Sequence, residues 1–342
     1  MKSRVIVIGS GLHKQVLGED SLLSSWDQLL RTLAKENKIT PNLPLCAVDP
    51  VLAWEQLVAE RAAGRGVAAK EEKLLKKSLC SLLKNAAEKV QAQYSSDKVI
   101  QQLGQTLKQG GIHLVSLNFD HLAHAGLGKE LSVDRFLKAF RADKIQDPVS
   151  KSGSVSLKSL QIEDFKLLYG RKIIASPSTE TCSAIWHPHG HVSRIDSLRL
   201  GMRDYGFLPQ SYYIAFCRFK KWEGEVAGKL DGAAKYKKLI QALEEMDAVQ
   251  GSKSPVSPAD NWVTRFMLYP VDFIGVGLSQ VEIGMRWLLV QRARNFAKVS
   301  PKEAPPVIYH DVKAINFPGV QSHPIDLTPL FHERWLSVLS RN

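Results

Sequence analysis

Short apolar runs that stop at a glycine or a turn-forming polar residue alternate along this chain with much longer helical stretches. No other feature narrows the fold as far. Val5–Ile8 is β-branched throughout and runs into Gly9-Ser10-Gly11. Ile112–Leu117 follows Gly110-Gly111 and runs into Asn118-Phe119-Asp120. Ser183–His187 leads into Pro188-His189-Gly190-His191, and Val271–Gly275 into Val276-Gly277-Leu278-Ser279. Runs of this kind read as strands buried on both faces, closed by tight turns. Arg171–Ala175 and Val307–His310 are two more strand candidates.

The stretches between them have helical spacing. Ser24 or Ser25 can cap a helix from Trp26 to Ala34, with Trp26, Leu29, Leu30 and Leu33 on one face. From Val51 to Lys108 the apolar spacing is helical and leaves no room for a strand, with turns expected at Gly64–Gly66 and Ser95-Ser96. Residues 210–247 and Gln280–Phe296 read as helices, and Ser150–Ser159 as an exposed loop. Strands alternating with long helical segments predict an α/β fold: a Rossmann-like parallel sheet with helices on both faces. The expected organisation is one domain over 1–342, with helical insertions at about 45–110 and 205–260.

Of the 342 residues 44% are hydrophobic and 23% charged, an ordinary globular balance. Cys46, Cys80, Cys182 and Cys217 are scattered, with no Cys-x-x-Cys pair, so neither a cysteine zinc site nor a disulfide framework is expected and a reduced, cytoplasmic setting is. No apolar run reaches the ~18 residues of a membrane span. The net charge of +12 raises the possibility of a nucleic-acid partner. However, the basic residues are spread along the chain; of the two densest clusters, Lys70–Lys77 mixes charge with apolar positions as solvated helix faces do, and Lys235–Lys238 is very short.

In an open parallel sheet, ligands bind outside the carboxyl ends of the strands, and glycine-rich turns there let backbone N–H groups approach phosphates. Two such turns, at Gly9–Gly11 and Gly275–Ser279, suggest a nucleotide with two anchoring points. The dehydrogenase fingerprint does not fit: Lys14 occupies the third glycine position and no acidic strand end follows. Taken alone, Gly9-Ser10-Gly11 is also an ordinary tight turn, and Asn118 and Asp120 are common residue types just past a strand. If the strand continued through them, His187, His189 and His191 would share one face. They would then resemble metal ligands, with His13, His121 and His310 as further donors that no spacing demands.

Taken together and in order, Ile8–Leu12, Leu117–Asp120, Ile185–Gly190, Arg203–Tyr205 and Phe273–Ser279 resemble the sirtuin-like family over residues 4 to about 296. The resemblance is to its divergent bacterial branch, which includes NAD-hydrolysing effectors of antiphage defence. It implies that Gly9, Ser10 and Gly11 line the NAD pyrophosphate. Asn118 would hold the nicotinamide-side ribose and its attacking water, with Asp120 near the carboxamide. His189 would be the catalytic histidine, and Gly275, Gly277 and Ser279 would contact the adenosine half. The paired cysteines of the zinc module that the family's deacylases often carry are missing, which points away from deacylation, and no zinc is expected. Ser10 and Leu12-His13-Lys14 also depart from the family's usual alanine and serine pattern.

These residue types suit cleavage of the nicotinamide–ribose bond of NAD. The leaving ring is already cationic and needs no general acid, while the ribose passes through an oxocarbenium-like state. A neutral imidazole can polarise a hydroxyl or a water near pH 7, and an amide can orient that water without adding charge. Two other readings remain: a nucleotide-binding regulatory or scaffold subunit of a defence complex, presenting its helical regions to a partner, and a metal-dependent hydrolase. The resemblance also implies a homo-oligomer or a partner defence protein.

Overall fold

The computed structural model describes residues 3–18, 21–40, 49–63, 67–120, 122, 127, 168, 171–174, 182–248, 257–278, 282–300, 303–310, 316–322 and 328–340. The strands are β1 (Arg4–Ile8), β2 (Ile112–Ser116), β3 (Arg171–Ile174), β4 (Ser183–Trp186), β5 (Val271–Ile274), β6 (Val307–His310) and β7 (Gln321–Ser322). The helices are α1 (Ser10–Leu17), α2 (Trp26–Glu36), α3 (Pro50–Ala62), α4 (Ala68–Ser96), α5 (Lys98–Gln109), α6 (Met202–Ala227), α7 (Gly232–Ala248), α8 (Trp262–Leu268), α9 (Ile283–Asn295) and α10 (Thr328–Leu339).

The sheet order is β3-β4-β2-β1-β5-β6-β7. Every pairing is parallel except β3 with β4, at one edge. Counting only the parallel strands in chain order, this is the doubly wound 3-2-1-4-5-6 arrangement, and the order reverses between β1 and β5. The chain is therefore an α/β protein with a Rossmann-like sheet.

Alternation along β1 divides the core. Ile6 and Ile8 face α2, α3, α4, α5 and α10, packing with Leu33, Trp54, Leu79, Leu103 and Trp335. Val5 and Val7 face α6, α7, α8 and α9, packing with Phe219, Leu243, Phe266 and Leu288. The helices between β1 and β2 thus cover one face, and those between β4 and β5 the other. The boundaries have local causes. Ser25 accepts a hydrogen bond from the Gln28 N–H at the start of α2, and Asp49 caps α3 ahead of Pro50. The break expected at Ser95-Ser96 falls at Asp97, whose carboxylate accepts from the Val99 and Ile100 N–H groups. The turn expected at Gly64–Gly66 and the loop at Ser150–Ser159 lie outside the described residues.

Beneath the sheet, on the α8 side, lies a buried polar network. Arg265 is completely buried. Its guanidinium pairs with Asp247 and donates to Asp260 at 2.7 Å. Asp247 also accepts from the Tyr269 hydroxyl at 2.7 Å and meets His113 Nε2 at 3.0 Å. Asp260 accepts from Arg171 at 2.8 Å, tying the edge strand β3 to α8. Burial pushes the Asp247 carboxyl up, but Arg265 and His113 outweigh it and hold the group well below the usual carboxylate range. Burial depresses the His113 imidazole, and Asp247 opposes that only in part.

Both shifts make the folded state refuse protons that the unfolded chain accepts, so both remove stability as pH falls. Denaturation midpoints are expected to hold steady down to about pH 6.5, soften below it, and drop steeply below about pH 4, the ordinary His and Asp values. A chain that grows more stable between pH 7 and pH 4 would contradict the assignment.

Candidate functional site

The carboxyl ends of β1, β2, β4 and β5 open on a cavity of about 340 Å³, at the low end of the range of about 300–1,000 Å³ usual for ligand pockets. Its walls include Gly9, Ser10, Asn118, His189 and Gly277, five of the residues singled out in the sequence. Trp26, Asp49, Val276, Tyr205 and Glu282 complete much of the rest. A larger cavity of about 410 Å³ lies among α6, α7 and α9 and takes no wall residue from a strand. The smaller one sits where the strand order reverses, the place a doubly wound sheet offers a ligand.

His189 owes its position to a turn. β4 ends at Trp186, and the Gly190 N–H bonds back to the His187 carbonyl at 3.0 Å. Gly190 has φ +96, and a Cβ there would sit 2.2 Å from the Ser197 carbonyl oxygen, so only glycine fits. The His189 carbonyl accepts from the Arg199 N–H at 3.0 Å. Its ring is buried, 5.7 Å from the Tyr205 ring between centroids, with Nε2 3.5 Å from Glu282 Oε2.

This geometry corrects the expectation that His187, His189 and His191 share a face. The strand stops before the first of them, so side-chain alternation no longer applies. His187 and His191 pack edge to face on each other at 4.6 Å, and His187 Nδ1 lies 3.3 Å from the Asn118 carbonyl. His189 alone of the three lines the cavity. Among the described residues no three His, Cys, Asp or Glu side chains gather as a metal site. His13 is engaged with Asp120 and Tyr94, His310 with Asp272, and His121 lies outside the described residues.

Asn118 is 9% exposed, and its Nδ2 has no hydrogen-bond partner among the described residues. Buried amide donors are seldom left so, and this one belongs to a cavity wall. Asp120 borders an adjoining cavity of about 40 Å³, together with Ser10 and Asn118. Its carboxylate is held by His13 Nε2 at 2.8 Å and the Leu122 N–H at 2.8 Å. Burial raises this carboxyl, and His13, the Leu122 N–H and His187 bring it far below its usual range.

Gly11 and Gly275 meet each other and do not line the main cavity. The Gly11 N–H donates to the Gly275 carbonyl at 2.9 Å, and a Cβ on Gly11 would fall 2.7 Å from Gly275 Cα. Gly275 has φ +60. These two glycines let the β1 and β5 turns touch at the switch point. Ser279 lies outside the described residues.

Tyr205 belongs to a motif noted in the sequence without a role; burial, then Glu282, Asp49 and Asp204, push its hydroxyl up. Glu282 and Asp49 carry no sequence signal beyond their places beside the starts of α9 and α3, and Trp26 reads in the sequence only as part of the apolar face of α2.

Fold and site define a doubly wound α/β protein with a His- and Asn-lined cavity at its switch point. No protein-family model matches the chain, and no curated protein matches its sequence. Among the described residues, no helix is long and apolar enough to cross a membrane.

Proposed function

We propose that this chain hydrolyses the nicotinamide–ribose bond of NAD in the switch-point cavity. One observation carries the reading. His189 and Asn118, distant in sequence, line a single cavity with Gly9, Ser10 and Gly277 at the reversal of strand order. The unpartnered Asn118 Nδ2 suits a water or a ribose hydroxyl. The start of α1 has no acidic residue in its first turn and leaves Ser10 for a phosphate, while the Gly9, Gly11 and Leu12 N–H groups are already bonded to the carbonyls of Ile274, Gly275 and Gly9.

In the reaction the C1′–N bond breaks and its electron pair passes to the ring nitrogen, neutralising the ring. The oxygen of water bonds to C1′. Asn118 orients that water, and His189 takes its proton or polarises the neighbouring hydroxyl. His189 is largely shielded from solvent, which strengthens its action on a bound water. The products are nicotinamide, ADP-ribose and a proton. The sirtuin-like resemblance supports a role as an effector of bacterial antiphage defence, acting in the cytoplasm as a homo-oligomer or with a partner protein.

The test is to incubate the purified chain with NAD, follow nicotinamide by chromatography, and titrate ADP-ribose by calorimetry. Release together with ADP-ribose binding is expected. ADP-ribose binding without release would favour the regulatory-subunit reading, and neither binding nor release would overturn both.

A further inference from the structure

We propose that Glu282 selects the charge of the ligand in the switch-point cavity, favouring a cationic ring, such as oxidised over reduced nicotinamide dinucleotide; the inference rests on the function proposed above. Glu282 lies just before α9, its side chain is 14% exposed, and it makes no capping hydrogen bond to that helix. Among the described residues, the one side chain within ion-pair range of its carboxylate is His189, at 3.5 Å. Among the described residues, no lysine or arginine lines the cavity. The other acidic wall residue, Asp49, is already engaged with the Val51 N–H as the cap of α3. The charge of Glu282 is felt across the site: after burial itself, it is the next cause raising the Tyr205 and Tyr212 hydroxyls.

A carboxylate in a partly enclosed cavity acts on a nearby charge more strongly than it would in open water. The orphaned Asn118 amide on the same wall marks the cavity as a place for a polar ligand. Oxidised nicotinamide carries a positive charge on its ring nitrogen, reduced nicotinamide carries none, and ADP-ribose lacks the ring. A ring entering beside His189 therefore meets a negative wall. The same wall lowers the cost of positive charge as the ribose approaches its oxocarbenium-like state.

The experiment is calorimetry on the full chain with three probes: ADP-ribose, NADH, and a carbocyclic NAD analogue that keeps the cationic ring and resists cleavage. The wild type should bind the cationic analogue about tenfold more tightly than NADH. Glu282→Gln should erase that preference by weakening the analogue, with ADP-ribose changed by less than about twofold, while Glu282→Asp should keep it. If the wild type binds ADP-ribose but does not distinguish the two rings, or if Glu282→Gln retains the preference, the inference fails and the proposed function stands. If the wild type binds neither ADP-ribose nor the analogue, the proposed function fails and takes the inference with it. Should Glu282→Gln not fold, the wild-type preference and its retention in Glu282→Asp decide the matter.

Discussion

Replacing His189 with alanine is expected to lower nicotinamide release from NAD by about 10²–10⁴-fold, the range that removal of a positioned acid–base group usually costs. The fold should survive. The Arg199 N–H bonds to the His189 carbonyl, which alanine retains, and the ring projects into the cavity wall rather than the close-packed core. The circular dichroism spectrum and melting temperature should therefore stay near those of the wild type while turnover collapses. ADP-ribose, which needs no bond cleavage, should still bind. If the variant releases nicotinamide as fast as the wild type, the chemistry belongs to another residue.

Arg265→Met is expected to produce the largest loss of stability, about 3–5 kcal/mol in urea unfolding. The substitution keeps apolar bulk but removes the guanidinium that pairs with both Asp247 and Asp260, and the two carboxylates are almost wholly enclosed. Arg171 and His113 remain as partners, yet His113 is held toward its neutral form by burial. One buried carboxylate would thus keep its charge with little compensation, or take up a proton and lose its hydrogen-bonding role. A loss of less than about 1 kcal/mol would mean that the network contributes specificity rather than stability.

The layered fold was legible because its strands are short, β-branched and bounded by glycine or polar turns. β6 spans Val307–His310 as read from the sequence, β2 and β5 fall inside their apolar runs, and β1 extends the Val5–Ile8 run by Arg4. Elsewhere tertiary packing overrode local signals. The apolar spacing places a helix from 210, but α6 begins at Met202 and carries Pro209 inside it, with Leu208 and Tyr212 buried on either side. β7, of two residues, is too short to show any period. The antiparallel direction of β3 has no signature in a single run.

The site was legible only in part, and for the same reason. Asn118 and His189 stand out because they follow strands. The single face expected for the histidines failed because β4 ends one residue before His187, which no composition rule marks. Glu282 and Asp49 reach the cavity only through the packing of α9 and α3. The network around Arg265 joins residues from β2, β3, α7 and α8, whose pairing becomes visible only in three dimensions.

The proposed function places the binding and cleavage of a dinucleotide in the switch-point cavity. A crystal structure of the chain grown with ADP-ribose tests it most directly. The terminal ribose is expected between His189 and Asn118, and a phosphate at Gly9-Ser10. ADP-ribose seated instead in the cleft between α6, α7 and α9, or no bound nucleotide at saturating concentration, would contradict it.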